Sequence, residues 1–310
     1  MKIYHSIHEF KPLKKAVATT GTFDGVHVGH QRILNRLIET AEKIGGESVL
    51  LTFNPHPRMV LHPDLDLKLL TPIEEKAEWL EKFGLDHLII HPFTKEFSRT
   101  SSLEFVRNYL VNQIGVKKLV IGYDHHFGRN REGSFDHLVE FGPVYGFEVE
   151  EIPAQDIDDI KVSSTKIRKS IEAGDIPTAV SYLNHDFVVR GIVVKGEGIG
   201  RTLDFPTANI QIPDVHKMIP ADGVYPVRAT LPQTGEMVLG MCNIGNRPTV
   251  SGRDKTIEVH LFDFDRDIYG ESVQLSFEKR IRTEQKFESV EALKAQLHKD
   301  EVACRQLLNK

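Results

Sequence analysis

Up to Leu183 the apolar positions of the chain switch between two spacings. Short apolar runs rich in β-formers occupy 16–21, 48–53, 87–91, 117–121 and 147–152. Between them, apolar residues recur at helical spacing over 30–43, 73–83, 103–113 and 134–141. The first kind reads as buried strands and the second as amphipathic helices. Thr71-Pro72-Ile73-Glu74 offers a capping hydroxyl followed by proline at a first helical position. Strands and helices alternating at this spacing predict βαβ units and a mostly parallel sheet, which binds ligands at the carboxyl ends of its strands.

Past residue 184 the pattern changes. Two short helices over 164–173 and 177–183 are followed by strand-like segments at 187–195, 223–231, 236–244, 256–262 and 272–277, separated by Gly, Pro, Asn and Asp. Regular short strands with turn signals predict an antiparallel barrel or sandwich. A last helix over 290–308 offers Ala292, Leu293, Leu297, Val302 and Leu307 for burial. Two domains follow, 1–183 and 184–310, as expected of 310 residues, more than one core usually serves.

Composition narrows the partners. The net charge is −5 and neither half is basic, which argues against a nucleic-acid partner. No apolar run approaches the roughly 18 residues that cross a bilayer, and the N-terminus lacks the apolar stretch of a signal peptide. The two cysteines, Cys242 and Cys304, are far apart in sequence, so neither a disulfide framework nor a thiolate zinc site is expected. A cytoplasmic protein without a membrane partner is the expectation. Anionic ligands then have to be held by backbone amides, helix N-termini and metal ions.

Gly21-Thr22-Phe23-Asp24-Gly25-Val26-His27-Val28-Gly29-His30 follows the first strand and opens a helix. Small residues there let the backbone approach an anion that faces the helix N–H groups. His27 and His30, three apart, can face the same phosphate. The decamer resembles the HxGH signature of the nucleotidylyltransferase superfamily. Val162-Ser163-Ser164-Thr165-Lys166-Ile167-Arg168 reads by itself as a helix-capping device. It also resembles the SSTxIR segment that closes over the triphosphate in that superfamily, with Arg168 as a planar bidentate donor. Thr52-Phe53-Asn54-Pro55-His56-Pro57, a turn former on its own, resembles the TFxPHP segment. Gly122-Tyr123-Asp124-His125-His126-Phe127-Gly128-Arg129 resembles the GxDFxFG segment of FAD synthetases, with a His-His pair in place of the usual aromatic-first pattern. By this resemblance His27 and His30 are catalytic. Gly21, Phe23, Asp24, Gly29, Asn54, Asp124, Ser163, Ser164, Thr165 and Arg168 bind the nucleotide or flavin.

A glycine-rich loop with Gly196, Gly198 and Gly200 precedes Arg201 and Phe205-Pro206-Thr207-Ala208-Asn209. Its backbone amides can wrap phosphates. Pro206 prevents a helix from following directly, so a dinucleotide fold is not indicated. The second segment closely resembles the PTAN motif of riboflavin kinases. That implies Thr207 and Asn209 as Mg²⁺ and ATP-phosphate ligands, with Gly196, Gly198, Gly200 and Arg201 around the nucleotide. Two oxygens at i and i+2 of an extended segment can point to one side, and hard oxygen donors suit Mg²⁺. Asp204 stands where the family more often has Gly. Segments 223–229 and 243–249 resemble the family's GVYxVR and NIGxxPT wall strands. Alternation along 256–264 places Glu258 and His260 opposite Ile257, Val259 and Leu261. A ribityl hydroxyl attacks a phosphate well only as its proton is accepted. The similar EVHxxDF segment of riboflavin kinases implies Glu258 as that general base. Arg280, Arg282 and Phe287 fall in a stretch resembling a flavin-side flap, and read as solvated.

Two motif sets in this order resemble the bifunctional riboflavin kinase/FMN adenylyltransferases, the prokaryotic FAD synthetases. The resemblance implies an α/β, Rossmann-like adenylyltransferase domain and an all-β, six-stranded antiparallel barrel kinase with a C-terminal helix. Riboflavin and ATP would give FMN and ADP, then FMN and ATP would give FAD and diphosphate, with Mg²⁺ as cofactor and small molecules as partners. Two other readings stand beside it. One gives the first domain another acceptor, such as a pantetheine or choline phosphate, but leaves the PTAN barrel without a purpose. The other makes the barrel a flavin-binding regulatory module, which the joint presence of Thr207, Asn209 and Glu258 disfavours.

Overall fold

A computed structural model describes residues 1–123, 125–153, 162–196, 200, 203–249 and 252–309, with backbone only at 247–249 and 252–254. The chain divides into two compact units, Met1–Ser164 and Thr165–Lys310.

The first unit follows the βαβ expectation. Its elements are β1 (Lys2–Tyr4), β2 (Ala16–Thr20), α1 (Val28–Ile44), β3 (Glu47–Asn54), α2 (Pro57–Leu61), α3 (Ile73–Lys82), β4 (His87–Pro92), β5 (Val116–Gly122), α4 (Phe135–Tyr145) and β6 (Glu148–Ile152). The six strands form one parallel sheet in the order β1-β4-β3-β2-β5-β6. Alternate strand residues feed two cores. Val17, Leu50 and Val120 pack with Leu34 and Leu37 of α1, whereas Ala18, Leu51 and Leu119 pack with Leu110 and Leu138. Burial on both faces is why the strands read as unbroken apolar runs. The strand order reverses at β2, with β3 on one side and β5 on the other, and open sheets of this kind bind ligands outside the carboxyl ends of the strands at such a point.

Two local expectations change. Residues 105–114 form a π-helix, Phe105–Ile114, where an α-helix was expected. Its buried Val106, Leu110 and Ile114 recur every four residues, which suits the wider turn. The edge strand β1 is three residues long and gives no periodic signal.

The second unit begins with α5 (Ser164–Ala173), whose first residue still belongs to the first unit, and α6 (Ile176–Leu183). A closed antiparallel barrel follows, in the order β10-β11-β8-β7-β12-β9. Its strands are β7 (Val188–Val194), β8 (Ala208–Gln211), β9 (Gly223–Leu231), β10 (Glu236–Thr249), β11 (Gly252–Leu261) and β12 (Ser272–Phe277). Hydropathy marks five of these six. The sixth, β8, is four residues long and starts inside the Pro-Thr-Ala-Asn segment.

The C-terminal helix α7 (Val290–Leu308) is capped by Ser289, but the expected buried face is corrected. Asp300, Cys304 and Leu308 point inward, whereas Val302 is exposed. The cause is an ion pair. Arg282, expected to be solvated, holds Asp300 at 2.7 Å through Nη2 and 2.9 Å through Nε, with Asp300 almost fully buried. Arg280 is likewise engaged, donating to Ala173 O at 2.8 Å and Asp222 O at 3.2 Å. Asp300→Ala leaves a largely buried guanidinium unpaired and is expected to destabilise the second unit by about 3 kcal/mol. Chemical denaturation checks it, and a paired Arg282→Met/Asp300→Leu variant should recover most of the loss.

Candidate active sites

The decamer 21–30 links β2 to α1 at the point where the strand order reverses. Phe23 and Val26 have φ of 47° and 39°, so the loop is tightly wound. His27 caps α1, its Nδ1 accepting from His30 N at 3.4 Å. The two imidazoles stack at 3.7 Å and 15°, and Phe23 stacks on the other face of the pair against His30 at 4.6 Å. His30 Nδ1 is buried and has no hydrogen-bond partner among the described residues. Burial, then His27 and Lys76, hold His30 well below its usual 6.5, so it is neutral at pH 7. Gly29 is buried in the first turn of α1, and a Cβ at Gly21 would press on the Phe23 ring at 3.1 Å.

Other expected ligands take anchoring positions. The buried Asp24 carboxylate accepts from Leu70 N at 3.2 Å and Thr71 N at 3.1 Å. Thr71 is not the cap of α3, which has Pro72 at that position and no side-chain cap bond. Its hydroxyl instead accepts from Gly25 N at 2.9 Å and reaches Asp24. Ser164 Oγ donates to Asp24 O at 2.9 Å, joining the SSTxIR-like segment to the loop. Ser163 is half-buried, Thr165 is exposed in the first turn of α5, and Arg168 is buried on that helix. Asn54 is exposed at the end of β3, before a cis bond to Pro55. Asp124, Gly198 and Arg201 lie outside the described residues.

Sequence reasoning missed an aromatic group at the carboxyl ends of β3 and β4. Phe53, Phe93 and Phe97 meet with ring centroids 5.5–5.6 Å apart, and Tyr109 stands 5.2 Å from Phe97. His125 lies nearly parallel to Phe127 at 5.9 Å and 22°. Burial lowers its pKa to about 4, so it serves as a neutral ring. The signal existed only as single aromatics scattered after successive strands.

In the barrel, β8 runs between β7 and β11, with Asn209 opposite Glu258 and Ala208 opposite Val259. Ala208, Ile210, Val259 and Leu261 line the apolar interior. Alternation therefore puts Asn209 and Glu258 together on the outer face. His260 Nδ1 and Pro206 O are 2.8 Å apart, which ties the segment before β8 to β11. Gly196 abuts the Asn209 amide so closely that a Cβ would overlap it, and a Cβ at Gly200 would lie 3.2 Å from Thr207 Oγ1. The backbone thus closes on the two oxygen-bearing side chains. Asp204 takes a left-handed φ of 64°, the conformation glycine favours, and its carboxylate pairs with Lys294 of α7. Gly196→Ala should lower turnover at this site roughly 10-fold, on the scale of 1–2 kcal/mol of overpacking at Asn209. Steady-state assays of the variant beside its melting temperature check this.

Thr207 and Asn209 fit a hard cation. Neither is charged, and among the described residues no group of three His, Cys, Asp or Glu forms a metal cage. A cation held by these two oxygens would complete its shell from phosphates and water, as Mg²⁺ does.

Residues 9–166 match the family described as FAD synthetase, and residues 183–308 match riboflavin kinase. The protein of Escherichia coli (strain K12) named bifunctional riboflavin kinase/FMN adenylyltransferase is 37% identical over 99% of this chain and 97% of its own. The Bacillus subtilis (strain 168) protein of that name is 35% identical over 97% and 96%. A crystal structure from Streptococcus pneumoniae, named a macrolide-efflux protein, matches with a TM-score of 0.89 and 32% identity over 98% of both chains. Among the described residues of this chain no helix is long and apolar enough to cross a membrane. With both domain families matched in order and relatives spanning nearly its full length, the chain belongs to the bifunctional riboflavin kinase/FMN adenylyltransferases.

Proposed function

We propose that the chain makes FAD from riboflavin in two ATP-dependent steps at two separate sites. The observation that carries the reading is the cross-strand pairing of Glu258 with Asn209, beside glycines that admit no side chain. At the barrel, Thr207 and Asn209 hold the Mg²⁺ and phosphates of ATP. Glu258 accepts the proton of riboflavin's terminal ribityl hydroxyl as that oxygen takes the γ-phosphoryl group, giving FMN and ADP. Bound Mg²⁺ would neutralise charge on the phosphates. Gly196, Gly198, Gly200 and Arg201 surround the nucleotide.

On the parallel-sheet unit, the FMN phosphate attacks the α-phosphorus of ATP and diphosphate leaves. The phosphate is already anionic at pH 7 and needs no base. His27, His30, the α1 N-terminus and the hydroxyls and Arg168 of 163–168 meet the charge on the departing oxygens. Asn54, Asp124 and the rings at Phe53, Phe93 and Phe97 suit the flavin. The functional boundary is placed at 183/184, supported by a riboflavin kinase match that starts at residue 183. The enzyme works in the cytoplasm, where ATP is supplied, on small molecules alone.

Incubation with riboflavin, ATP and Mg²⁺, with the flavins separated chromatographically, tests the reading. FMN and then FAD are expected. Absence of FMN removes the kinase assignment, and FMN that never becomes FAD removes the adenylyltransferase assignment.

A further inference from the structure

The adenylyl-transfer loop is gripped by a segment that belongs to none of the motifs. Thr71 binds Asp24 and Gly25, and five residues further on, in α3, Lys76 reaches the same loop. Lys76 is only 5% exposed, yet its ammonium carries three N–H bonds. Among the described residues it has a single hydrogen-bond acceptor, Thr22 O, at 2.6 Å. A buried ammonium normally carries its full set of partners or a carboxylate in contact. Here the counter-charge is Asp24, whose carboxylate is engaged by Leu70 and Thr71 and acts on Lys76 from a distance. Burial draws the ammonium below its usual 10.5, and Asp24 partly opposes that. The residue is therefore a cation placed behind the loop where a polyphosphate would lie, with donor capacity unspent.

We propose that Lys76 is a positioning residue for adenylyl transfer: anchored on the Thr22 carbonyl, it fixes the loop that carries His27 and His30 and lends positive charge to the departing diphosphate. This rests on the adenylyltransferase reading of the loop. Methionine matches the length of the lysine stem without its charge, so Lys76→Met removes the anchor while keeping the packing. The charge acts most strongly when diphosphate departs, so the loss falls on kcat.

Lys76→Met, Lys76→Arg and His30→Ala are compared with the unaltered protein in the full chain. FAD formation from supplied FMN and FMN formation from riboflavin are measured separately. For Lys76→Met the expected result is a fall in kcat for FAD formation of roughly 10- to 100-fold, the scale of a displaced catalytic loop. KM for ATP should stay within about threefold and FMN formation should be unchanged, with Lys76→Arg recovering most of the rate. The proposal is overturned if Lys76→Met keeps its kcat, if only KM rises, or if arginine fails to recover the rate. An equal fall in both reactions also overturns it, because that is a folding effect. If His30→Ala leaves FAD formation intact, the reading of the loop itself fails. If His30→Ala abolishes it while Lys76→Met does not, this proposal alone fails.

Discussion

Glu258→Gln is expected to slow FMN formation about 10²- to 10⁴-fold, the range of a lost general base, while FAD formation from supplied FMN persists. Glutamine keeps the shape and the acceptor oxygen of the side chain but cannot take a proton at neutral pH. Glu258 sits between two amides in the ladder, with Asn209 opposite on β8 and Asn243 opposite on β10. Its charge is felt inside the barrel, where burial, then Cys304 and Glu258, push the Cys242 thiol up. The neighbouring His260 has Nδ1 2.8 Å from Pro206 O, which ties β11 to the segment before β8. Separate assays of the two reactions check the expectation. An unchanged FMN rate would remove Glu258 from the chemistry, and loss of both rates in a folded variant would end the two-site description.

Much of this architecture is legible because each unit obeys one simple period. Gly223–Leu231 and Ser272–Phe277 have the bounds hydropathy gave, since every second residue faces a dry interior. The site motifs are legible for a related reason. A loop that approaches phosphate has to be small, and two ligands at i and i+2 have to be extended. What stays hidden depends on partners distant in sequence. Thr71 looks like a cap because proline follows it, but Asp24, forty-seven residues earlier, competes for its hydroxyl. Val302 looks buried until the Arg282–Asp300 pair turns α7 by its polar side. Lys76 and the rings of Phe53, Phe93 and Phe97 carry no local pattern, because their neighbours come from different strands. Asp204 departs from the glycine expected there yet adopts glycine's conformation, with Lys294 taking up the added charge.

His30→Ala is expected to lower FAD formation about 10²- to 10³-fold and leave FMN formation from riboflavin untouched. The imidazole is preorganised between Phe23 and His27, with a buried nitrogen that no group among the described residues satisfies. Such a nitrogen is costly in the free enzyme and becomes useful when a phosphate oxygen arrives. The same burial makes a second readout. The folded-state pKa lies well below 6.5, so on acidification the unfolded chain takes up the proton first. Stability contributed by the neutral ring is present above about 6.5 and is lost as pH falls below it. The unaltered first unit should therefore lose melting temperature between pH 7 and 5 more steeply than His30→Ala does. Parallel slopes would mean that the ring is solvated, and a solvated ring could not be the preorganised donor that the rate loss requires.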